Sequence, residues 1–144
     1  MLELNNPSIG VEFILLCFDR EDPMNCHRYE SPNNPIITND IAKTTIERNA
    51  IQLGNYKGQP IAVGGWTTRT GDLMSFEEDS YVWSPITDFP CYFQDCPKND
   101  FIYWYASVST TNSYIIMGGT ITGDDEKRDG IVEFKDDVWA RDNI

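Results

Sequence analysis

Apolar positions along this chain fall into short runs closed by glycine, proline or acidic turns. Val11 to Phe18 reads as a strand, and Cys26 to Tyr29 as a second, with a polar turn between them. Ile36 and Ile37 suggest a weak third strand behind the loop Ser31-Pro32-Asn33-Asn34-Pro35. Residues 1–10 carry little pattern. Asn39–Asn49 is the one helix candidate, but its threonines and period of two favour a loop running into a strand. Four strands are then expected near Ala50–Gly54, Pro60–Gly65, Leu73–Glu77 and Tyr81–Pro85. Four more are expected in Phe101–Ser109, Tyr114–Gly119, Ile131–Lys135 and Val138–Arg141.

Two of these strands end alike. Ile61-Ala62-Val63 stops at Gly64-Gly65, and Tyr114-Ile115-Ile116-Met117 stops at Gly118-Gly119. Trp83 follows the first doublet and Trp139 the second. The first glycines stand 54 apart and the tryptophans 56 apart. A strand that is apolar at every position is buried on both faces. Two glycines let the backbone bend and approach a neighbour closely. An indole later in the unit supplies the mass that fills the gap between adjacent sheets. Such a period, built of strands, indicates repeated sheets that stack because none can bury its faces alone. Turn residues agree with it: Lys57-Gly58 is answered by Asn112, both positions tolerating left-handed backbone.

These residues resemble the kelch repeat, in which a strand ending in Gly-Gly is followed by an aromatic residue and then a tryptophan. Gly64, Gly65, Phe76 and Trp83 match it, and so do Gly118, Gly119, Phe134 and Trp139. Phe76 stands seven before Trp83, but Phe134 only five before Trp139, which implies a tighter turn in the second copy. The resemblance covers about residues 45–142 well and 11–38 poorly, where Cys17-Phe18 would replace the glycine pair and Ile36 the tryptophan. It implies an all-β fold of kelch-type β-propeller blades, with residues 1–144 forming one incomplete propeller. Residues 11–44 would be a degenerate partial blade, and 45–90 and 101–142 kelch-like blades, about 2.5 blades of four-stranded antiparallel sheet in all. Propellers close with four to eight blades. The expectation is therefore a piece of a longer propeller, or a chain that self-associates to close one.

Composition narrows the function. With 40% hydrophobic and 24% charged residues the chain is globular. A net charge of −12 argues against nucleic acid and against anionic membrane as partners. No apolar run reaches the length of a membrane helix, and no basic, apolar leader opens the sequence. A cytoplasmic location with reduced thiols is the expectation, and a secreted one if the pairs Cys17/Cys26 and Cys91/Cys96 are disulfides.

The family implies a non-enzymatic scaffold that binds a protein partner through its loops. The equivalent loops Gly65–Gly71 and Gly119–Gly130 are the candidates, with Trp66, Arg69, Asp124 and Asp125 as contact residues. The rival is a propeller with an enzymatic or carbohydrate-binding role, of the galactose oxidase kind, whose metal centre needs convergent histidines and tyrosines. His27 is the single histidine here, so no cofactor or metal is expected. The acids of Gly123–Gly130 lack the alternation of a calcium loop, and a solvated loop is expected there. Tyr103, Trp104 and Tyr105 are expected to pack between sheets rather than to face a ligand.

Overall fold

The computed structural model describes residues 2–6, 11–18, 21, 24–29, 43–44, 46–49, 51–65, 70–77, 80–87, 102–103, 105–121 and 130–142. Among them the chain is all-β and every strand pairing is antiparallel. The first sheet has three strands, β1 (Leu2–Asn6), β2 (Val11–Cys17) and β3 (Cys26–Tyr29), in the order β1-β2-β3. A second, four-stranded sheet runs β4 (Leu53–Tyr56), β5 (Gln59–Val63), β6 (Gly71–Glu77) and β7 (Ser80–Ile86) in sequence order. β8 (Ile102–Tyr103) pairs with β11 (Thr120–Ile121) in a separate two-stranded sheet. The third large sheet orders β9 (Ala106–Ser109), β10 (Ser113–Met117), β12 (Ile131–Lys135) and β13 (Val138–Asp142) as a meander.

The sheets stack, with the second in the middle. Opposed residues of an antiparallel pair share a face. Ala62, Met74, Tyr81 and Trp83 of the second sheet pack with Leu15 and Cys26 of the first. Ile61, Val63 and Tyr56, on its other face, pack with Tyr105, Tyr114, Ile116, Val132 and Phe134 of the third. This two-sided burial is why β5 is apolar from Pro60 to Val63, where its burial is unbroken. Each fully buried side chain of this size contributes about 1.5–3 kcal/mol through area removed from water.

The doublets terminate their strands by the same geometry. Gly64 and Gly118 have φ of 67° and 65°, and Gly65 and Gly119 follow at 126° and 106°. Gly64 N–H donates to the Thr70 carbonyl, and Gly118 N–H to the Gly130 carbonyl, both at 2.9 Å. The first sheet repeats this arrangement: Phe18 has φ 61° and its N–H donates to the Asn25 carbonyl at 2.9 Å. Phe18 thus occupies the place of the first glycine of the doublet, one residue away from the alignment that the aromatic spacing suggested.

The structure departs from the sequence reading in several places. Residues 2–6 form β1, although their polar asparagines gave no pattern; pairing with the apolar β2 supplies the strand. Residues 43–44 and 46–49 are neither helix nor strand. The 101–109 run is split between β8 and β9, because Tyr105 leaves the strand to bury its ring. The β12–β13 turn is not tighter than the β6–β7 turn. Both join their strands through two residues, after Lys135↔Val138 and Glu77↔Ser80, and it is the strand arms that differ in length. Trp139 therefore stands opposite Phe134, but Trp83 stands opposite Met74, while Phe76 pairs with Tyr81. Met74, not Phe76, holds the register position of Phe134. The left-handed turn residues are Lys57 (φ 52°) with Gly58 (φ 84°), and Asp136 (φ 51°) with Asp137 (φ 63°). These are the positive angles that two-residue hairpins require. Asn112 is not left-handed; in that turn the Thr110 Oγ1 accepts from the Ser113 N–H at 3.0 Å and completes the hairpin. Finally, Cys17 and Cys26 are not free thiols. They oppose each other on β2 and β3 and form a disulfide, their Cα atoms 4.0 Å apart. Cys91 and Cys96 lie outside the described residues.

Candidate interaction surface

The contact residues expected from sequence, Trp66, Arg69, Asp124 and Asp125, lie outside the described residues. What the structure does describe is how their segments are held at the base. Both segments leave the second strand of a sheet at its glycine doublet and return to the third strand. Both are pinched by the hydrogen bond from the first glycine, Gly64 to Thr70 and Gly118 to Gly130.

The first of these bases carries a buried guanidinium that sequence reasoning missed. Arg48 is 0% exposed. Its Nε and Nη2 donate to one Asp72 carboxylate oxygen at 3.1 and 2.6 Å. Its Nη1 donates to the Gly64 carbonyl at 2.7 Å and the Thr70 carbonyl at 2.8 Å, and Nη2 reaches the Thr70 hydroxyl at 3.2 Å. One side chain thus binds both ends of the 65–70 segment and neutralises the buried Asp72. A planar fork of fixed donors suits this task, and an ammonium does not. Gly65 is backed against the same strut: a Cβ there would come within 3.2 Å of the Arg48 Cα, at a φ of +126°. In the third sheet the register position of Asp72 is taken by Val132, which packs in the apolar core instead. The signal in the sequence was a lone arginine in a coil and a lone aspartate inside an apolar strand, two residues 24 apart with nothing local to join them.

At the inner ends of the sheets, β4, β9 and the end of β2 surround a cavity of about 380 Å³, lined in part by Cys17, Phe18, Gln52 and Ser107. Gln52 is its organising residue. Its carbonyl accepts from Tyr114 Oη at 3.3 Å and Tyr105 Oη at 3.4 Å. Its side-chain oxygen accepts from the Ser107 N–H and Oγ at 3.2 and 3.1 Å. Tyr105 also donates to the Val63 carbonyl at 2.7 Å, which ties the second sheet to the third. Burial pushes the Tyr105 phenol well above its ordinary pKa, with the neighbouring Tyr114 adding to the shift. Tyr114 is raised too, chiefly by burial. Both rings are therefore neutral structural donors, as expected of Tyr105; the side chains of Tyr103 and Trp104 lie outside the described residues. Towards the rim, Tyr56 Oη donates to Asp137 Oδ1 and accepts from the Asp137 N–H, both at 3.1 Å. This bond steadies the left-handed Asp136-Asp137 turn.

The repeat tryptophans sit at equivalent junctions. Trp83 faces the first sheet, its ring 6.0 Å from that of Phe18. Trp139 faces the second sheet, packs tilted against Phe134 with ring centroids 4.8 Å apart and donates Nε1 to the Thr87 carbonyl at 2.9 Å. Trp83 Nε1 is buried without a partner among the described residues. No cluster of three or more potential metal ligands occurs among the described residues. No protein-family model matches this chain, and no curated protein matches it.

Proposed function

We propose that this chain is a non-enzymatic protein-interaction module of the kelch kind, a set of propeller blades that binds a protein partner through the segments following its glycine doublets. The observation that supports it is the repeated strand ending. Phe18, Gly64 and Gly118 share one left-handed conformation and one hydrogen bond to the residue before the next strand of the same sheet. A scaffold that presents its connecting segments from the same place on successive sheets offers one composite surface made of several loops. The Arg48 strut stiffens the first of these segments at its base, which lowers the ordering cost of binding there. The Cys17–Cys26 disulfide is compatible with an extracellular setting, and we place the module in an oxidising compartment.

The test is affinity capture with wild-type protein and a Trp66→Ala/Arg69→Ala variant under identical conditions. A specific partner retained by wild type and lost by a variant of unchanged melting temperature supports the reading. The same partners on both proteins would overturn the assignment of these segments.

A further inference from the structure

The structure describes three large apolar side chains exposed at the surface: Val108 at 46%, Met117 at 38% and Val138 at 57%. All three lie on one face of one sheet. Val108 opposes Ile115, Ile115 opposes Glu133, Met117 opposes Ile131, and Val138 opposes Lys135, so the pairings put them on the side of β9-β10-β12-β13 away from the second sheet. The corresponding positions in the other sheets are covered. Met117 and Ile131 answer to Val63 and Gly71, which face the third sheet, and to Cys17 and Cys26, which face the second.

The chain itself shows what covers such a face. At each of its two junctions the forward face of one sheet receives the backward face of the next, carrying Ala62, Met74 and Trp83 in one case and Ile116, Phe134 and Trp139 in the other. Among the described residues one forward face is then left over, on the third sheet. Among the described residues one backward face also has no sheet set against it, on the first sheet. There Leu16 opposes His27 and Ile14 opposes Tyr29, and these four half-buried residues belong to neither buried cluster.

Resting on the propeller reading, we propose that two copies of this chain associate head to tail, the Val108–Met117–Val138 face of each seated on the Ile14–Leu16–Tyr29 face of the other. The three large sheets among the described residues of each chain give six. That number lies within the range that closes a propeller, and a two-fold axis makes both junctions identical. The contact is centred on apolar side chains, with Glu133 and Lys135 beside them, while each chain carries −12, so association tightens as salt screens the repulsion.

Sedimentation velocity of the full chain reads the outcome. The expected species is twice the 16.5 kDa chain mass. Met117→Glu and Leu16→Glu each weaken it ~30-fold or more, as loss of a central interface contact does. Mixing the two variants restores a dimer, because a head-to-tail pair keeps one intact junction; restoration also shows that both fold. Tyr29→Glu replaces Leu16→Glu if the latter loses its β-type circular dichroism. A monomeric wild type overturns the proposal. So does a dimer that Leu16→Glu leaves intact, which would mean a back-to-back pair, and so does a mixture of variants that stays monomeric. Capture of a partner through Trp66 and Arg69 by a monomeric wild-type chain would leave the interaction-module reading standing while the dimer falls.

Discussion

Phe18 adopts the backbone conformation of Gly64, φ 61° against 67°, and makes the same 2.9 Å bond to the carbonyl ahead of the following strand. A side chain at this angle costs about 1–2 kcal/mol relative to glycine. The phenyl ring offsets that cost by packing on Trp83. The residue therefore stays left-handed because the sheet geometry demands it and the ring is useful there. Substitution should invert the usual order. Phe18→Ala keeps the backbone cost and loses the ring, so it should melt lower than Phe18→Gly, by the equivalent of about 1 kcal/mol in chemical denaturation. Equal or reversed stabilities would show that Phe18 is not a doublet position.

Arg48 and Asp72 form a buried pair whose halves depend on each other. Arg48→Met should cost about 3–5 kcal/mol by leaving Asp72 charged, buried and unpaired. Asp72→Val in the same chain should recover most of that loss, since valine already holds the equivalent place in the third sheet as Val132. Urea unfolding of the two singles and the double variant measures it. Additive losses would contradict the coupling.

Alkaline pH should unfold the protein through Tyr105 and Tyr114. Both are held above the ordinary value of 10.0 by burial. The unfolded chain releases their protons from about pH 10 upward, while the folded chain retains them. Unfolded protein then binds fewer protons, and stability falls as pH rises from that point to the folded pKa values. The slope is about 1.4 kcal/mol per pH unit for each ring. Below pH 9 they contribute no slope. Tyr105→Phe should be less stable at neutral pH, having lost its bond to Val63, yet show a shallower decline between pH 10 and 11.

The Cys17–Cys26 bridge spans nine residues of sequence and closes the first sheet beside Phe18. Reduction should lower the melting temperature by the equivalent of about 2–3 kcal/mol. A non-reducing peptide map of the native protein should show these two cysteines joined. Recovery of free Cys17 and Cys26 under oxidising purification would contradict the pairing.

The parts legible in the sequence were those written in local period. β5, β10 and β12 are apolar or alternating runs bounded by glycine or acids, and they fall where the runs predicted. The doublets Gly64-Gly65 and Gly118-Gly119 announced strand ends, and their backbone angles agree. β1 was not legible, because Leu2–Asn6 is a strand through its partner rather than its own composition. Nor was the register of Trp83. The spacing of Phe76 suggested one partner, but the length of the hairpin arm selects Met74. The Arg48–Asp72–Gly64 strut and the Gln52 node could not be read either, since they join residues whose closeness exists only after the sheets stack.

That stacking has one sharp local signature. A Cβ on Gly54 would overlap Cε2 of Tyr114, so the β4 backbone and a ring of the third sheet are in direct contact. In a proton nuclear Overhauser spectrum of the folded protein, the Tyr114 ring protons should give strong cross-peaks to the Gly54 Hα protons. Strong cross-peaks would place the third sheet flat on the second, as the account requires; their absence from a spectrum in which both residues are assigned would contradict it.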